Sequence, residues 1–190
     1  MKIDRIKVIN YWKSMCRKFN AKLQPKSKSR MMRAMGWMLE RSGSMTAKKF
    51  ARYTTTIGRT VYIPFTLGTP SDEWDLEHQI ITCAHEMVHV TQAGKTRRSR
   101  ARFYIRYLTS KKWRTKYEME AYGANFLFHY RLTGVFLSPS YIAGLLKSYG
   151  CSKADKKRAI RYYARINQGL GAGNKIGHPT ARYCLDHLED

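Results

Sequence analysis

Two histidines and a glutamate stand close together in the segment ITCAHEMVHVTQAG, residues 81–94 of this 190-residue chain. His85 and His89 are four positions apart, so on a helix both imidazoles lie on one face and can bind the same metal ion. Glu86 lies beside that face, where its carboxylate can take a proton from a water molecule. This HExxH pattern indicates hydrolysis assisted by a metal ion. The alternative is a chance pattern in a chain rich in polar residues.

A catalytic zinc ion needs a third protein ligand, which has to come from elsewhere in the chain. The short pattern HExxHxxGxxH is excluded, because Gln92 and Lys95 stand in the places of its glycine and third histidine. Further on, the segment YEMEAY, residues 117–122, has a helical pattern and carries two carboxylates. Either Glu118 or Glu120 would complete a His₂Glu site. Both cannot face the ion, because residues i and i+2 diverge on a helix.

The two motifs together resemble the gluzincin zinc metallopeptidases. More narrowly, HEMVHVTQ followed by EMEAY is similar to small bacterial and phage metallopeptidases that carry HExxHxxQ and a later ExEAD. The resemblance covers roughly Thr54–Leu132. It implies a Zn²⁺ cofactor and hydrolysis of peptide bonds by a zinc-activated water, with His85 and His89 as ligands and Glu86 as the general base.

The resemblance also assigns roles in the second motif. The first glutamate of ExEAD binds the metal in that family and corresponds to Glu118, with Glu120 as the alternative ligand. The family aspartate, which orients a ligand histidine, is replaced by Tyr122, whose hydroxyl can accept the imidazole N–H. Hydrolysis also needs a group that stabilises the oxyanion. Tyr122, Asn125 and His129 follow Glu118 at helical spacing, and each is a candidate for this role, against a more frequent packing role.

Elements on the N-terminal side of HExxH are predicted to be two helices and a β-hairpin. Apolar residues recur at helical spacing over residues 3–19, and a second helix is predicted over 30–41. Two β-rich runs within residues 53–65 are separated by a Gly-Arg pair, which is typical of a hairpin. We expect Pro64 to confine its strand to a sheet edge or to end it. An edge strand here could pair with an extended peptide substrate.

The helix that carries the motif is predicted to begin near Pro70 and to end near Gly94. Carboxylates are favourable in a first helical turn, where they interact with the helix dipole. Four acidic residues are therefore expected there: Asp72, Glu73, Asp75 and Glu77.

Downstream of the motif, the sequence predicts further helices. A basic stretch leads into a long helical pattern with a break near residues 109–110 and an end at Gly134. Ser138 and Ser152 open two more helices, the second through a capping box. The Gly-rich stretch 168–177 is predicted to be a loop.

These elements predict an α+β fold that is predominantly helical. In full, we expect a zincin-like minimal metallopeptidase domain with a small β-hairpin packed on the HExxH helix. One domain covers residues 1–190. Its parts are an N-terminal helical segment over 1–45, a zincin-like core over 46–134 and a C-terminal helical segment over 135–190.

The charge of the chain favours anionic partners. Lys and Arg number 36 against 13 Asp and Glu, which gives a net charge of +23. Nucleic acid or another polyanion is therefore a predicted partner, beside a protein or peptide substrate. Five arginines are candidates for this contact: Arg97, Arg98, Arg100, Arg102 and Arg106. The solvated outer face of an amphipathic helix would have the same composition, and we favour that interpretation.

The cysteine pattern and the hydropathy of the chain predict its cellular location. The four cysteines form no CxxC pair, which favours reduced thiols and a cytoplasmic protein, or a virion-associated one if the chain is viral. No apolar run approaches the roughly 18 residues that a membrane span needs.

Two alternatives to a zinc metallopeptidase stay open. The first is a basic protein that binds nucleic acid or a virion and whose zinc site is structural or vestigial. The second is a zinc hydrolase that cleaves a non-peptide amide, because HExxH determines the chemistry and leaves the substrate open.

Overall fold

The computed structural model describes residues 3–43, 45–174 and 176–188. These residues form two compact units, one that ends at Ile80 and one that begins at Ile81. The described residues are mostly helical, with one three-stranded sheet in the first unit. The predicted class, α+β and predominantly helical, is confirmed. The zincin-like assignment, the single domain and the packing of the hairpin on the motif helix stay predictions.

The first unit opens with helix α1, Arg5–Phe19. The Asp4 carboxylate accepts a hydrogen bond from the Lys7 backbone N–H at 2.8 Å, which caps the helix. Its inner face buries apolar residues, as the helical spacing predicts: Val8, Tyr11, Trp12 and Met15. Helix α2, Arg30–Arg41, has the predicted bounds and is capped by Ser29. A short helix α3, Ala47–Ala51, was not predicted, because its five residues are too few to show a period.

The sheet has the strand order β1-β3-β2. The predicted hairpin is present, with β2 at Thr55–Ile57 antiparallel to β3 at Thr60–Ile63. Strand β3 ends directly before Pro64, but it is the central strand, because Lys22–Pro25 forms β1 and pairs with its other side in parallel. Of the two effects predicted for Pro64, the end of the strand is confirmed and the edge position is wrong. Strand β1 lies in a polar stretch whose pattern does not indicate a strand.

A buried lysine joins α3 to β2. Lys26 is only 4% exposed, and its ammonium donates hydrogen bonds to the carbonyls of Phe50 at 2.7 Å and Tyr53 at 2.6 Å. The third donor reaches the Thr55 hydroxyl at 2.8 Å. The same nitrogen lies 3.6 Å from the centre of the Phe50 ring. The charge is therefore compensated by three oxygen acceptors and an aromatic face, as burial of a charged group requires.

Helix α4, Leu76–Gln92, carries the HExxH motif. It begins later than predicted, so Asp72, Glu73 and Asp75 precede it and only Glu77 lies in its first turn. The Asp75 carboxylate instead accepts a hydrogen bond from the His78 backbone N–H at 2.6 Å, in the manner of an N-cap. The predicted end is close: the chain turns at Gly94, where φ is +76° and a Cβ would lie 2.5 Å from the Ser99 hydroxyl.

The second unit continues with α5 at Arg97–Thr109 and α6 at Lys111–Thr133. The predicted break between them is confirmed: Ser110 has an extended backbone and its hydroxyl caps α6. The predicted end at Gly134 is also confirmed, by its left-handed backbone with φ of +71°.

Both predicted caps, Ser138 and Ser152, are confirmed, but the end of the second helix differs from the prediction. Helix α7 covers Pro139–Leu145, and α8 covers Lys153–Gly171 with the predicted capping box at Ser152. Helix α8 therefore extends into the stretch predicted to be a loop, and a further helix α9 at Pro179–Asp186 was not predicted. Among the described residues, no helix is both long and apolar enough to cross a membrane.

Candidate metal centre

Helix α4 places the two histidines of the motif side by side. The Nε2 atoms of His85 and His89 lie 3.2 Å apart, and the rings meet edge to face. His89 is 9% exposed and Glu86 is 6% exposed, so this face of α4 is largely shielded from solvent. The separation of four residues places both side chains on the same face of the helix.

Glu118 on helix α6 completes the cluster. Its Oε2 lies 3.7 Å from His85 Nε2, and its Oε1 lies 3.6 Å from His89 Nε2. The side chain is almost fully buried. Potential donor atoms of His85, His89 and Glu118 all lie within 4.8 Å of one another. The structure thus brings together two imidazoles and one carboxylate, which is the donor set that the two motifs predict.

Each histidine has a partner on its other ring nitrogen. His89 Nδ1 lies 2.9 Å from the amide oxygen of Gln92, one turn later on the same helix. His85 Nδ1 lies 3.3 Å from the amide oxygen of Asn125 on α6. Because an amide oxygen only accepts, each Nδ1 donates its N–H, and each Nε2 is directed toward Glu118. This is the usual orientation of a histidine that binds a metal ion through Nε2.

The charges in the cluster reinforce one another. Burial alone would lower the pKa of His89, but the negative charge of Glu118, followed by that of Glu86, raises this pKa to about 9. Burial alone would raise the pKa of Glu118, yet the nearby charges of His89 and His85 hold it well below its usual range. The carboxylate is therefore ionised beside a shared positive charge, which a divalent cation can replace.

Tyr107 on helix α5 holds the first oxygen of Glu118. Its hydroxyl donates a hydrogen bond of 2.5 Å to Glu118 Oε1. Burial, followed by the charge of Glu118, raises the pKa of Tyr107 well above its usual value, so the hydroxyl keeps its proton. Glu118 Oε2 is buried and accepts no hydrogen bond from any described residue. A buried carboxylate oxygen of this kind fits a metal ligand, because an ion would satisfy it.

Glu120, the alternative ligand, has a different environment. Its Oε2 accepts a hydrogen bond of 3.0 Å from the Gln92 side-chain amide, which also donates to the Tyr117 carbonyl at 3.0 Å. Its Oε1 lies 3.9 Å from the Lys116 ammonium. Glu120 therefore lies outside the cluster and holds the residue that orients His89.

The three predicted oxyanion candidates lie at different places on α6. Tyr122 contacts His85 with ring centroids 4.8 Å apart. Asn125, and not Tyr122, is the residue whose side-chain oxygen faces His85 Nδ1. His129 is half-buried and lies roughly 16 Å along the helix from Glu118, at 1.5 Å per residue. Of the three, the structure brings Tyr122 and Asn125 to the cluster and leaves His129 away from it.

The five candidate arginines lie on α5. Arg97, Arg98 and Arg102 are exposed. Arg100 donates to the Lys95 carbonyl at 3.0 Å, and the Arg106 guanidinium lies 4.2 Å from the centre of the Trp113 ring. Two of the five are thus engaged within the protein, and three are available to an anionic partner.

Sequence reasoning missed two tyrosines beside Glu118. Tyr107 lies on a separate helix from Glu118, so no spacing rule connects them. Tyr149 is half-buried, and burial followed by the charges of Glu118 and Tyr122 raises its pKa well above the usual value. The role of Gln92 was also missed, although its place three residues after His89 was a usable signal.

Comparison with known proteins identifies no relative of this chain. The chain matches no protein-family model, no curated protein and no solved structure with which it was compared. A functional assignment therefore depends on the site itself.

Proposed function

We propose that this protein is a zinc-dependent hydrolase, and that its reaction is cleavage of peptide bonds. The observation that carries the proposal is the convergence of His85, His89 and Glu118, whose donor atoms lie within 4.8 Å of one another. The ligands come from two helices, and each has a separate partner that orients it. A chance occurrence of HExxH would not require such partners.

The donor set favours zinc over other ions. Two imidazoles and a carboxylate form a common zinc ligand set in hydrolases, whereas magnesium and calcium prefer oxygen ligands alone. Three protein ligands leave a position for water or substrate, which a structural site with four protein ligands lacks. When bound, zinc would act as a Lewis acid toward water and the scissile carbonyl.

Glu86 is the proposed general base. It is buried on the motif helix directly after His85, and its charge contributes to the raised pKa of His89, so the carboxylate lies near the cluster. In this role it takes the proton of the attacking water and delivers it to the nitrogen of the leaving amine. Substrate would bind at the partly exposed side of His85.

The test is metal content combined with a variant that keeps the metal. We expect the purified chain to hold about one zinc per molecule and to cleave an unstructured protein such as casein. Glu86→Gln should retain zinc and lose activity by about 10²–10⁴-fold, the usual contribution of a general base. Glu77→Gln, an exposed glutamate on the same helix, is the matched control and should retain both. Absence of zinc, or full activity in Glu86→Gln, would refute the proposal.

A second candidate is a basic binding protein whose metal site is structural. The net charge of +23 and the three exposed arginines of α5 favour it. It predicts binding of DNA or RNA that weakens steeply with salt and survives Glu86→Gln, without cleavage of protein. A zinc hydrolase of a non-peptide amide would instead lose cleavage of that amide in Glu86→Gln while leaving casein intact in the wild type.

A further inference from the structure

We infer that Tyr107 and Arg114 are positioning residues that make Glu118 a ligand through one oxygen, Oε2. The inference rests on the proposed metal site and adds the residues that determine how many positions around the ion the protein occupies. Neither residue lies in the HExxH or ExEA motif.

The two oxygens of Glu118 have unequal environments. Oε1 accepts the 2.5 Å hydrogen bond from Tyr107, a length typical of a strong bond to a charged acceptor. Oε2 has no hydrogen-bond donor among the described residues and lies 3.7 Å from His85 Nε2. The carboxylate is therefore held so that one oxygen is engaged by the protein and the other is available to an ion.

Arg114 holds the backbone from which Tyr107 projects. Its Nε donates to the Tyr107 carbonyl at 2.8 Å, and one terminal nitrogen donates to the Leu108 carbonyl at 2.9 Å. The other terminal nitrogen lies within reach of the Tyr149 carbonyl at 3.4 Å. The guanidinium thus satisfies carbonyls at the C-terminal end of α5, where a cation is favourable.

Arg114 and Glu118 are four residues apart on α6 and share a face of that helix. One rigid helix therefore carries both the ligand and the group that fixes the tyrosine bonded to it. A lysine at position 114 would keep the charge but lose the planar set of donors that reaches several carbonyls at once.

The consequence concerns coordination. With Oε1 held by Tyr107, the protein supplies three donor atoms, and the remaining positions stay open for water and substrate. If Oε1 is released, the carboxylate can bind through both oxygens, which raises the coordination number when water stays bound.

The experiment compares Tyr107→Phe with the wild type, both loaded with Co²⁺ in place of zinc. Four-coordinate Co²⁺ absorbs more strongly in the visible range than five-coordinate Co²⁺. We expect Tyr107→Phe to lose absorption intensity and to bind zinc about 10–100-fold more weakly in competition with a chelator. Tyr104→Phe, a partly buried tyrosine on the same helix, is the matched control and should match the wild type in both measurements.

Arg114→Lys tests the same inference with the Tyr107 hydroxyl intact. It should shift the Co²⁺ spectrum in the same direction and by less, while circular dichroism shows an unchanged helical content. If either variant folds and keeps the wild-type spectrum and zinc affinity, that residue has no positioning role and the inference is wrong. If the wild type itself binds neither ion, the proposed function fails, and this inference fails with it.

Discussion

The motif helix α4 and the α5–α6 pair contribute to the same cluster in different ways. On α4, the spacing of His85 and His89 is sufficient to juxtapose their rings, and Gln92 lies one turn away to orient the second ring. Glu118 depends on a helix break at Ser110, on Tyr107 from another helix and on distant backbone carbonyls. The α4 half of the site is determined by local geometry, whereas the carboxylate half is determined by tertiary structure.

The largest effect is expected from loss of a ligand on α4. His89→Ala should remove zinc and reduce cleavage to background, a loss greater than the roughly 100-fold that an orienting residue causes. Metal content by mass spectrometry and a casein assay would measure both. His78→Ala, on the same helix and away from the cluster, is the control. Stoichiometric zinc in His89→Ala would show that the ion binds elsewhere.

The next largest effect should distinguish the two carboxylates of α6, Glu118 and Glu120. Glu118→Gln should lose most of the zinc, because the ligand loses its charge in a buried site. Glu120→Gln should retain zinc and weaken its affinity only modestly, since it acts through Gln92. Chelator competition would rank the two variants. The opposite ranking would make Glu120 the ligand.

Substitution of the residues that orient the histidines should reduce zinc affinity less than loss of a ligand does. Gln92→Leu removes the 2.9 Å contact within α4, and Asn125→Leu removes the 3.3 Å contact from α6. Both should weaken zinc binding, by up to about 10–100-fold, with the larger effect in Gln92→Leu because its hydrogen bond is shorter. Isothermal titration with zinc would measure the difference. A larger loss in Asn125→Leu would contradict the view that the α4 half is maintained locally.

A substitution at Ser110, where the chain breaks between α5 and α6, should have the smallest effect on zinc affinity. Ser110→Ala removes the cap of α6 and should lower the free energy of unfolding by about 1 kcal/mol, as other N-cap substitutions do. Thermal unfolding without metal would measure it. Ser138→Ala removes the corresponding cap of α7 and provides a comparison with no link to Glu118. Equal zinc affinity in the two variants would show that the break tolerates a weaker cap.

The sequence could predict the features that depend on local geometry, but not those that depend on tertiary structure. The bounds of α2, the break at Ser110 and the cap at Ser152 depend on neighbouring residues, and the structure has them where the pattern predicts. Strand β1 was missed because its residues are polar and it forms by parallel pairing with β3, which is distant in the sequence. The choice between Glu118 and Glu120 stayed open because both lie on one turn of α6, and the contacts that distinguish them, such as those of Gln92 and Tyr107, come from other helices.

The buried ammonium of Lys26 has a practical consequence for labelling chemistry. Acylation requires the lone pair of an unprotonated amine to attack the reagent, but the Lys26 nitrogen donates to three oxygens and lies against the Phe50 ring. We therefore expect Lys26 to stay unacylated while exposed lysines such as Lys28 react. Once α3 separates from β2, the same amine becomes reactive. The extent of acylation at Lys26, read by peptide mapping, thus reports how often this part of the first unit opens.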